Sequence, residues 1–277
     1  MKIYPIAKIN LGLNVVEKRP DGYHNLQTVF FPVPIKDTLE VQQQLEKEPA
    51  GVDCELTVSN LHIDGDTQQN LVVKAYRLLK EDFPTLPRVK AHLHKCIPTQ
   101  AGMGGGSSDC AYMIRLLNEL FHLGMTNEQM IHYAARLGAD CAFFIMDSPC
   151  YAEGIGERLH PIELQLHGWH LAVVRPDIPV PTKEAFSLIR PHYPARNCRE
   201  VVMQPIESWR DELTNDFEES VFALHPEIGN VKERLYKMGA TYAAMSGSGS
   251  ALFGLFKEAP DSLSREFPDM FTFCCLL

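Results

Sequence analysis

A glycine-rich run between a predicted strand and a predicted helix constrains this chain more than any other feature. The run extends from Pro98 to Asp109 and has glycine at four of its central positions, Gly102, Gly104, Gly105 and Gly106. Apolar spacing predicts a strand over 89–97 and a helix over 110–121, with Ser107, Ser108 and Asp109 as N-cap residue types. Glycine permits close approach of a ligand, and the first N–H groups of a helix attract anions. The element therefore predicts a phosphate site, and a flexible surface loop is the alternative.

The run matches neither of the two commonest phosphate loops. A P-loop has Lys-Ser or Lys-Thr after its last glycine, whereas Gly106 is followed by Ser107. The dinucleotide fingerprint has a glycine three positions after its second one, and Ser107 stands there as well. The phosphate site is thus expected to belong to another class of nucleotide-binding protein.

Length and charge set the broad class of the chain. Its 277 residues suffice for two domains, which we place at 1–158 and 159–277. A formal net charge of −9 opposes binding to nucleic acid or to an anionic membrane. The 8 cysteines show no Cys-x-x-Cys spacing, which favours reduced thiols, and no apolar run is long enough for a signal core or a membrane span. These observations predict a soluble cytoplasmic protein with the composition of an ordinary enzyme.

Local signals predict several further elements. Alternation over 6–16 and 26–33, with Asp21-Gly22 between them, predicts a hairpin, and 42–51 reads as a polar loop. Helices are expected after Asn70, from Thr126 to Gly138, after Thr182, and from Pro226 to Met238. A second glycine-rich turn, Ser246 to Ser250, leads into the apolar run 251–256.

Three groups of residues are candidates for chemistry. Lys8 and Asn10 share the polar face of the first strand, either as an exposed edge or as groups presented into a cleft. Asp140 precedes the apolar run 141–146, where it is either an acid of a buried site or an acid in a helix-terminal turn. His92, His94 and Cys96 could hold zinc, but no second ligand motif accompanies them.

Taken in order, these segments resemble the GHMP kinases, the superfamily that includes galactokinase and homoserine, mevalonate and phosphomevalonate kinases. The resemblance rests on motifs spread over most of the chain: Ala7 to Leu13, Arg19 to His24, Asn70-Leu71, the glycine run, Gly138 to Asp140, Gly154 to Glu157, and Ser246 to Gly249. It implies an α+β fold of two domains, the N-terminal one like ribosomal protein S5 and the C-terminal one an α/β sandwich with ferredoxin-like character. The strand at Lys8 and the turn Asp21 to His24 are similar to those of the branch that acts on a cytidine diphosphate derivative.

The resemblance also implies an activity and its ligands. The expected reaction is ATP-dependent phosphorylation of the C2 hydroxyl of 4-(cytidine 5'-diphospho)-2-C-methyl-D-erythritol in the non-mevalonate isoprenoid pathway. The implied cofactors are ATP and Mg²⁺, with the metal carried by ATP and Ser107 a possible ligand. No macromolecular partner is implied, and the chain is expected to be a monomer or a weak homodimer.

Residue roles follow from the matching positions. Lys8 and Asp140 are the implied catalytic residues, Asp140 as general base and Lys8 as the cation that holds the hydroxyl and offsets charge. The implied ATP-binding residues are Asn70, Gly102, Met103, Gly104, Gly105, Gly106, Ser107 and Ser108. The implied substrate-binding residues are Asn10, Tyr23, His24, Lys95, Thr182, Phe186, Gly247, Ser248 and Gly249, with Tyr23 and Phe186 on the two faces of the cytosine.

The chain departs from the family pattern at Gln100, Cys110 and Ala142, where glycine, alanine and proline are usual. None of these changes removes a reacting group, but they leave loop shape and nucleotide affinity open. Two alternatives also stay open, another small-molecule kinase of the superfamily and a nucleotide-binding module without catalysis. The presence of both Lys8 and Asp140 argues against a module without catalysis.

Overall fold

The computed structural model describes residues 1–44, 52–63 and 65–277, which form strands and helices in mixed order. The strands are β1 Lys2–Ile3, β2 Ile6–Lys18, β3 His24–Lys36, β4 Thr38–Gln43, β5 Cys54–Asn60, β6 Val89–Lys95, β7 Cys150–Gly154, β8 Arg158–Pro161, β9 His170–Arg175, β10 Tyr242–Met245, β11 Leu252–Phe256 and β12 Phe271–Leu276. The helices are α1 Leu71–Asp82, α2 Gly105–Leu120, α3 Asn127–Leu137, α4 Phe143–Met146, α5 Thr182–Ala185, α6 Cys198–Val201, α7 Trp209–Glu212, α8 Phe217–Leu224, α9 Pro226–Lys237 and α10 Leu263–Glu266. The mixed α and β content agrees with the predicted class.

Contacts divide the chain into two compact units that interleave along the sequence. Unit 1 comprises 1–7, 33–99 and 104–148, and unit 2 comprises 8–32, 100–103 and 149–277. The domain bounds 1–158 and 159–277 stay a prediction. Within unit 2, β3 pairs antiparallel with β7, placing Leu26 opposite Gly154 and Phe30 opposite Cys150. The N-terminal hairpin therefore belongs with the later part of the chain.

Unit 1 is built on a four-stranded sheet of order β1-β4-β6-β5. The strands β5 and β6 are parallel, a pairing that requires a crossover, and α1 lies between them in the chain. Asn70 begins α1 as its N-cap, where its Oδ1 accepts from the N–H of Val72 at 2.9 Å. Thr126 and Gln129 form the predicted capping box of α3, which ends at Gly138. These local predictions are confirmed.

Unit 2 contains two further sheets, of order β2-β3-β7-β8 and β10-β11-β9-β12. The second sheet is antiparallel throughout and packs on α8 and α9. Leu13 and Val15 of β2 join the same core as Val174 of β9 and Leu235 of α9. The predicted hairpin of β2 and β3 and the predicted helix from Pro226 are confirmed.

One predicted helix cap is wrong, and one predicted loop lies partly outside the described residues. Thr182 is the first residue of α5, and Pro181 occupies the N-cap position that we expected for it. Within the predicted loop 42–51, Gln42 and Gln43 are the last residues of β4, and 45–51 lie outside the described residues. No helix among the described residues has the length and apolar character needed to cross a membrane.

Candidate active site

The helix that follows the glycine run begins earlier than the sequence predicts. Residues 104–106, the second arm of the run, contain its N-cap and its first two residues. The N-cap of α2 is Gly104 in the left-handed conformation, with φ +69°, so Ser107, Ser108 and Asp109 lie in the first turns of the helix and not at its cap. A positive φ is easily adopted by glycine, which explains the shift. Gly104 has no side chain to accept from the first N–H groups. These groups and the helix dipole are therefore suited to bind an anion.

The glycines of this arm have different surroundings. A Cβ on exposed Gly106 would meet only Leu71 Cδ1, at 3.9 Å, so this position opens outward. A Cβ on Gly105 would lie 3.0 Å from Ile97 Cγ2 and 3.1 Å from Lys95 Nζ. Gly105 thus keeps the helix start close to β6 and to the lysine at its end.

The two serines of the helix start differ in exposure. Ser107 is half-buried, and its hydroxyl bonds to the thiol of Cys141. Ser108 is fully buried, and its Oγ has no hydrogen-bond partner within the part of the chain that is described. A hard cation carried by phosphates needs an accessible oxygen. Ser108 does not meet this need, and Ser107 is the less buried of the two serines.

Lys95 belongs to a buried ion cluster, which corrects its predicted role as a substrate ligand. Its side chain is 1% exposed, and its Nζ donates to Asp109 Oδ2 at 2.8 Å and also to Asp37 Oδ2. Asp37 Oδ1 in turn accepts from the N–H groups of Cys96 and Ile97, at 2.5 and 2.8 Å. An ammonium enclosed by the side chains of two buried aspartates cannot reach a soluble ligand. Lys95 instead joins the end of β6 to the first turns of α2.

The cluster has one more acid than base, and its pKa values reflect this. Burial, and to a smaller extent the Asp37 carboxylate, raise the pKa of Asp109 to about 8 against the opposing effect of Lys95. Burial by itself would lower the pKa of Lys95, but Asp109 and Asp37 outweigh it and the net direction is upward. Lys95 therefore stays charged, and Asp109 carries the proton that balances the cluster.

The first arm of the glycine run, 100–103, is held against the second glycine turn within unit 2. Gly102 has φ +70°, and a Cβ there would lie 1.8 Å from the carbonyl oxygen of Ser246. That oxygen belongs to the backbone and cannot move away cheaply, so only glycine fits. Gln100, at a position where the family usually has glycine, also has a left-handed φ of +50°.

Lys8 and Asn10 are buried, at 3% and 2% exposure, so the reading of an exposed strand edge is wrong. Lys8 Nζ donates to Asn10 Oδ1 at 2.6 Å and to the carbonyl oxygen of Gly102 at 2.9 Å. It also lies 5.0 Å from the centre of the Phe30 ring. The lysine thus joins β2 to the first arm of the glycine run.

The second glycine turn is fixed by residues that the sequence reasoning did not assign to the site. Ser246 Oγ accepts from the N–H of Asn10 at 3.2 Å and donates to Gly102 O at 2.9 Å. Asn215 Nδ2 donates to the carbonyl oxygens of Met245 and Gly247, both at 2.8 Å. The sequence could have indicated Ser246, because this residue directly precedes the predicted turn Gly247 to Gly249. No feature of the sequence indicates Asn215.

Asp140 lies half-buried in the turn between α3 and α4. The turn is closed by the N–H of Cys141, which donates to Gly138 O at 3.1 Å. The thiols of Cys110 and Cys141 are hydrogen-bonded to each other, and this bond lowers the pKa of Cys141 and raises that of Cys110. Cys110, a departure from the family pattern, thus packs directly beside the residue that follows Asp140.

The hairpin turn presents two aromatic side chains, those of Tyr23 and His24. The His24 ring stacks on the Phe186 ring, with centroids 4.6 Å apart and planes 20° from parallel. Tyr23 is 61% exposed at the turn, where its N–H donates to Asp21 Oδ1 at 3.1 Å. The His24 ring therefore covers one face of the Phe186 ring. Burial lowers the pKa of His24, and nearby Lys18 lowers it further, so the ring is neutral at pH 7.

Asn70 caps α1 with its side-chain oxygen Oδ1. The side-chain NH2 group is therefore the part of Asn70 that is suited to contact a nucleobase. His92 and His94 are exposed, and both contact Ser59 Oγ. Among the described residues, no three His, Cys, Asp or Glu side chains are grouped to hold a metal ion.

Comparisons with known proteins agree over the whole chain. Residues 70–148 match the GHMP kinases N terminal domain, and residues 197–272 match the GHMP kinases C terminal domain. A 4-diphosphocytidyl-2-C-methyl-D-erythritol kinase of Bacteroides fragilis is 50% identical over 99% of this chain and 98% of its own length. A protein of the same name from Porphyromonas gingivalis is 42% identical over 98% of this chain and 97% of its own length.

Solved structures give the same result. A crystal structure of 4-(cytidine 5'-diphospho)-2C-methyl-D-erythritol kinase superposes with a TM-score of 0.82 at 31% identity, covering 99% of this chain and 98% of that one. The Methanococcus jannaschii mevalonate kinase superposes with a TM-score of 0.71 over 100% of this chain and 98% of that one. At 14% identity the second comparison supports the fold alone. The predicted two-domain α+β fold is confirmed.

Proposed function

The chain belongs to the GHMP kinase family, and from that membership we propose that it phosphorylates the C2 hydroxyl of 4-(cytidine 5'-diphospho)-2-C-methyl-D-erythritol, with ATP as the donor. Relatives that are 50% identical along the full chain carry the name of this kinase. The structural observation that carries the proposal is the buried Lys8 ammonium, bonded to Gly102 O of the glycine run. A nucleotide-binding module without catalysis would have no need to bury a cation there.

We assign the ATP phosphates to the glycine run and the start of α2. The N–H groups after Gly104 and the open face at Gly106 suit a polyphosphate, and the net charge of the chain makes such local attraction necessary. Asn70 is assigned to the adenine through its amide NH2 group, and Met103 and Ser108 to the shape of the phosphate cradle.

Phosphoryl transfer asks the protein mainly for positioning and charge stabilisation. Asp140 is assigned the proton of the C2 hydroxyl. A tertiary alcohol has a pKa far above that of a carboxylic acid, so Asp140 orients the hydroxyl and accepts its proton late. Lys8 is assigned to offset the negative charge that develops on the transferred group, and Asn10 to contact the alcohol.

The cytidine side is assigned to the hairpin turn and the segment after α5. Tyr23 and Phe186 are assigned to the faces of the cytosine and His24 to its edge. Because His24 stacks on Phe186 in this structure, the base must displace the His24 ring from that face. Thr182 and the turn Gly247-Ser248-Gly249 are assigned to the diphosphate side of the substrate.

A Mg²⁺ ion on the phosphates fits the residues at the start of α2. Ser107 is the less buried serine of the pair, so it is assigned to the ion. The metal would neutralise phosphate charge, as in other kinases. We further propose a cytoplasmic enzyme that acts on small molecules as a monomer or a weak homodimer.

Phosphorus NMR tests the function directly. The protein is incubated with ATP, Mg²⁺ and a panel of alcohols that includes the cytidine diphosphate methylerythritol, homoserine and mevalonate. The proposal expects a new phosphate monoester with the cytidine compound only. Product from another alcohol would indicate a different kinase of the family, and bound ATP without any product would indicate a binding module.

A further inference from the structure

The side-chain amide of Asn10 is held between two groups whose hydrogen-bonding roles are fixed. Its Oδ1 accepts from Lys8 Nζ at 2.6 Å, and its Nδ2 donates to Thr28 Oγ1 at 2.9 Å. Thr28 lies on β3, is 1% exposed, and donates its hydroxyl proton to Gly12 O at 2.6 Å. Four groups thus form one chain of bonds, from the ammonium of Lys8 to the carbonyl of Gly12.

The two ends of this chain determine the direction of every bond in it. An ammonium can only donate and a backbone carbonyl oxygen can only accept. The single hydroxyl proton of Thr28 is used by Gly12, so Thr28 can only accept from Asn10. The amide nitrogen of Asn10 must therefore face Thr28, and its oxygen must face Lys8. An inverted amide would place NH2 against the ammonium and lose both bonds.

We propose that Thr28 is a positioning residue for phosphoryl transfer, because its hydroxyl fixes the Asn10 amide with its oxygen toward Lys8 Nζ. The proposal rests on the function proposed above, in which Lys8 acts on the transferred group. The hydroxyl of Thr28 is already used by Asn10 Nδ2 and by Gly12 O, so its role is to hold Asn10. It acts through Asn10 on the place of the ammonium, because without the Thr28 hydroxyl the Asn10 amide keeps its bond to Lys8 Nζ but loses the bond that holds its nitrogen side.

The hydroxyl and the methyl group of Thr28 can be tested separately. Thr28→Val keeps the shape and removes the hydroxyl, and we expect kcat to fall by about 10- to 100-fold, the range typical of groups that orient a functional side chain elsewhere. KM for ATP should change less than kcat. Thr28→Ser keeps the hydroxyl and should restore most of the activity. If Thr28→Ser is as slow as Thr28→Val, loss of the hydroxyl does not explain the fall in kcat and the proposal is wrong.

A double-variant cycle distinguishes positioning from general damage. If Thr28 acts only through Asn10, then Thr28→Val should add little to the loss caused by Asn10→Ala. Multiplied losses would overturn the proposal. The matched control is Thr57→Val on β5, which removes a strand hydroxyl that donates to Ala91 O and should leave kcat unchanged. Thermal unfolding of each variant shows whether it is folded.

A measurement without turnover separates this proposal from the proposed function. In ¹⁵N-labelled protein, the Nδ2 protons of Asn10 should exchange slowly with solvent, and faster in Thr28→Val. If the unsubstituted protein makes no product, the proposed function fails, while protected Asn10 protons would still support the orientation. If those protons exchange at the rate of an exposed amide, the positioning role fails whatever the activity.

Discussion

A Cβ atom on Gly102 would lie 1.8 Å from the carbonyl oxygen of Ser246, although 144 positions separate the two residues in the chain. The same serine donates its hydroxyl to Gly102 O, which also accepts from Lys8 Nζ. One glycine therefore joins the first arm of the glycine run, the second glycine turn and a buried cation. A side chain here would disturb all three.

Gly102→Ala should destabilise the protein in the absence of nucleotide. The left-handed backbone costs a non-glycine residue roughly 1–2 kcal/mol, and the contact with Ser246 adds to this. Gly106→Ala is the control, since its Cβ would meet only Leu71 Cδ1 at 3.9 Å and a helical alanine is favourable. Urea denaturation should show a large loss for Gly102→Ala and none for Gly106→Ala. Equal stabilities would contradict the close approach.

Lys95→Met should cost about 3–5 kcal/mol of unfolding free energy, because it leaves Asp37 and Asp109 buried without their cation. Lys2→Met is the control. It removes a solvent-exposed pair with Glu40 and should cost about 1 kcal/mol or less. Denaturant titrations of both variants measure the difference. A cost for Lys95→Met as small as that for Lys2→Met would mean that the cluster is not stabilised by its lysine.

Asp109 should make the protein lose stability as pH rises. Its pKa is about 8 in the folded protein and 3.8 for an ordinary aspartate, so the folded state holds this proton where the unfolded state has lost it. The contribution is complete below pH 3.8 and declines up to about pH 8. Asp109→Asn cannot ionise, so its stability relative to the original protein should increase over that window. A constant difference from pH 4 to 8 would show that Asp109 is ionised throughout.

Asp140→Asn should lower kcat by about 10²–10⁴-fold, the range for loss of a group that moves a proton in the transition state. ATP affinity should be retained, which calorimetry can measure. Asp147→Asn is a suitable control, because Asp147 pairs with Arg115 and has no assigned role. If kcat of Asp140→Asn is close to kcat of Asp147→Asn, Asp140 is not the general base.

Tyr23→Ala should raise KM for the cytidine substrate by about 5- to 150-fold, because one base-stacking contact contributes about 1–3 kcal/mol. KM for ATP should stay nearly constant. Since the ring is mostly exposed, the melting temperature should hardly change. Tyr4→Ala, another exposed tyrosine, controls for loss of aromatic surface. Equal changes in the two KM values would speak against a cytosine contact.

Sequence predicted best what is decided locally. Asn70 and Thr126 were recognised as helix starts because each cap bonds to a backbone group within three residues. The start of α2 was misplaced because three good capping residues follow Gly104, and only the left-handed backbone at Gly104 decides among them. Residue preferences at the N-cap therefore indicate that a helix starts in a segment, but they do not always give the residue at which it starts.

Roles that depend on distant partners could not be predicted in the same way. Lys95 was expected at a substrate, but Asp37 lies 58 positions before it and encloses it together with Asp109. Lys8 and Asn10 gave an alternating strand that was compatible with an exposed edge, and their burial follows from the pairing of β2 with later parts of the chain. Such pairings are set by the fold as a whole.

Strand β2 has a further consequence for how the protein folds correctly. Nearly all of its residues are buried on both faces, so hydrophobicity alone does not distinguish one strand register from the next. A slip by one residue would leave Lys8, Asn10 and Asn14 facing apolar neighbours without their bonding partners. These polar side chains therefore specify the register, because a chain with the wrong register would bury them without hydrogen-bond partners and would be less stable.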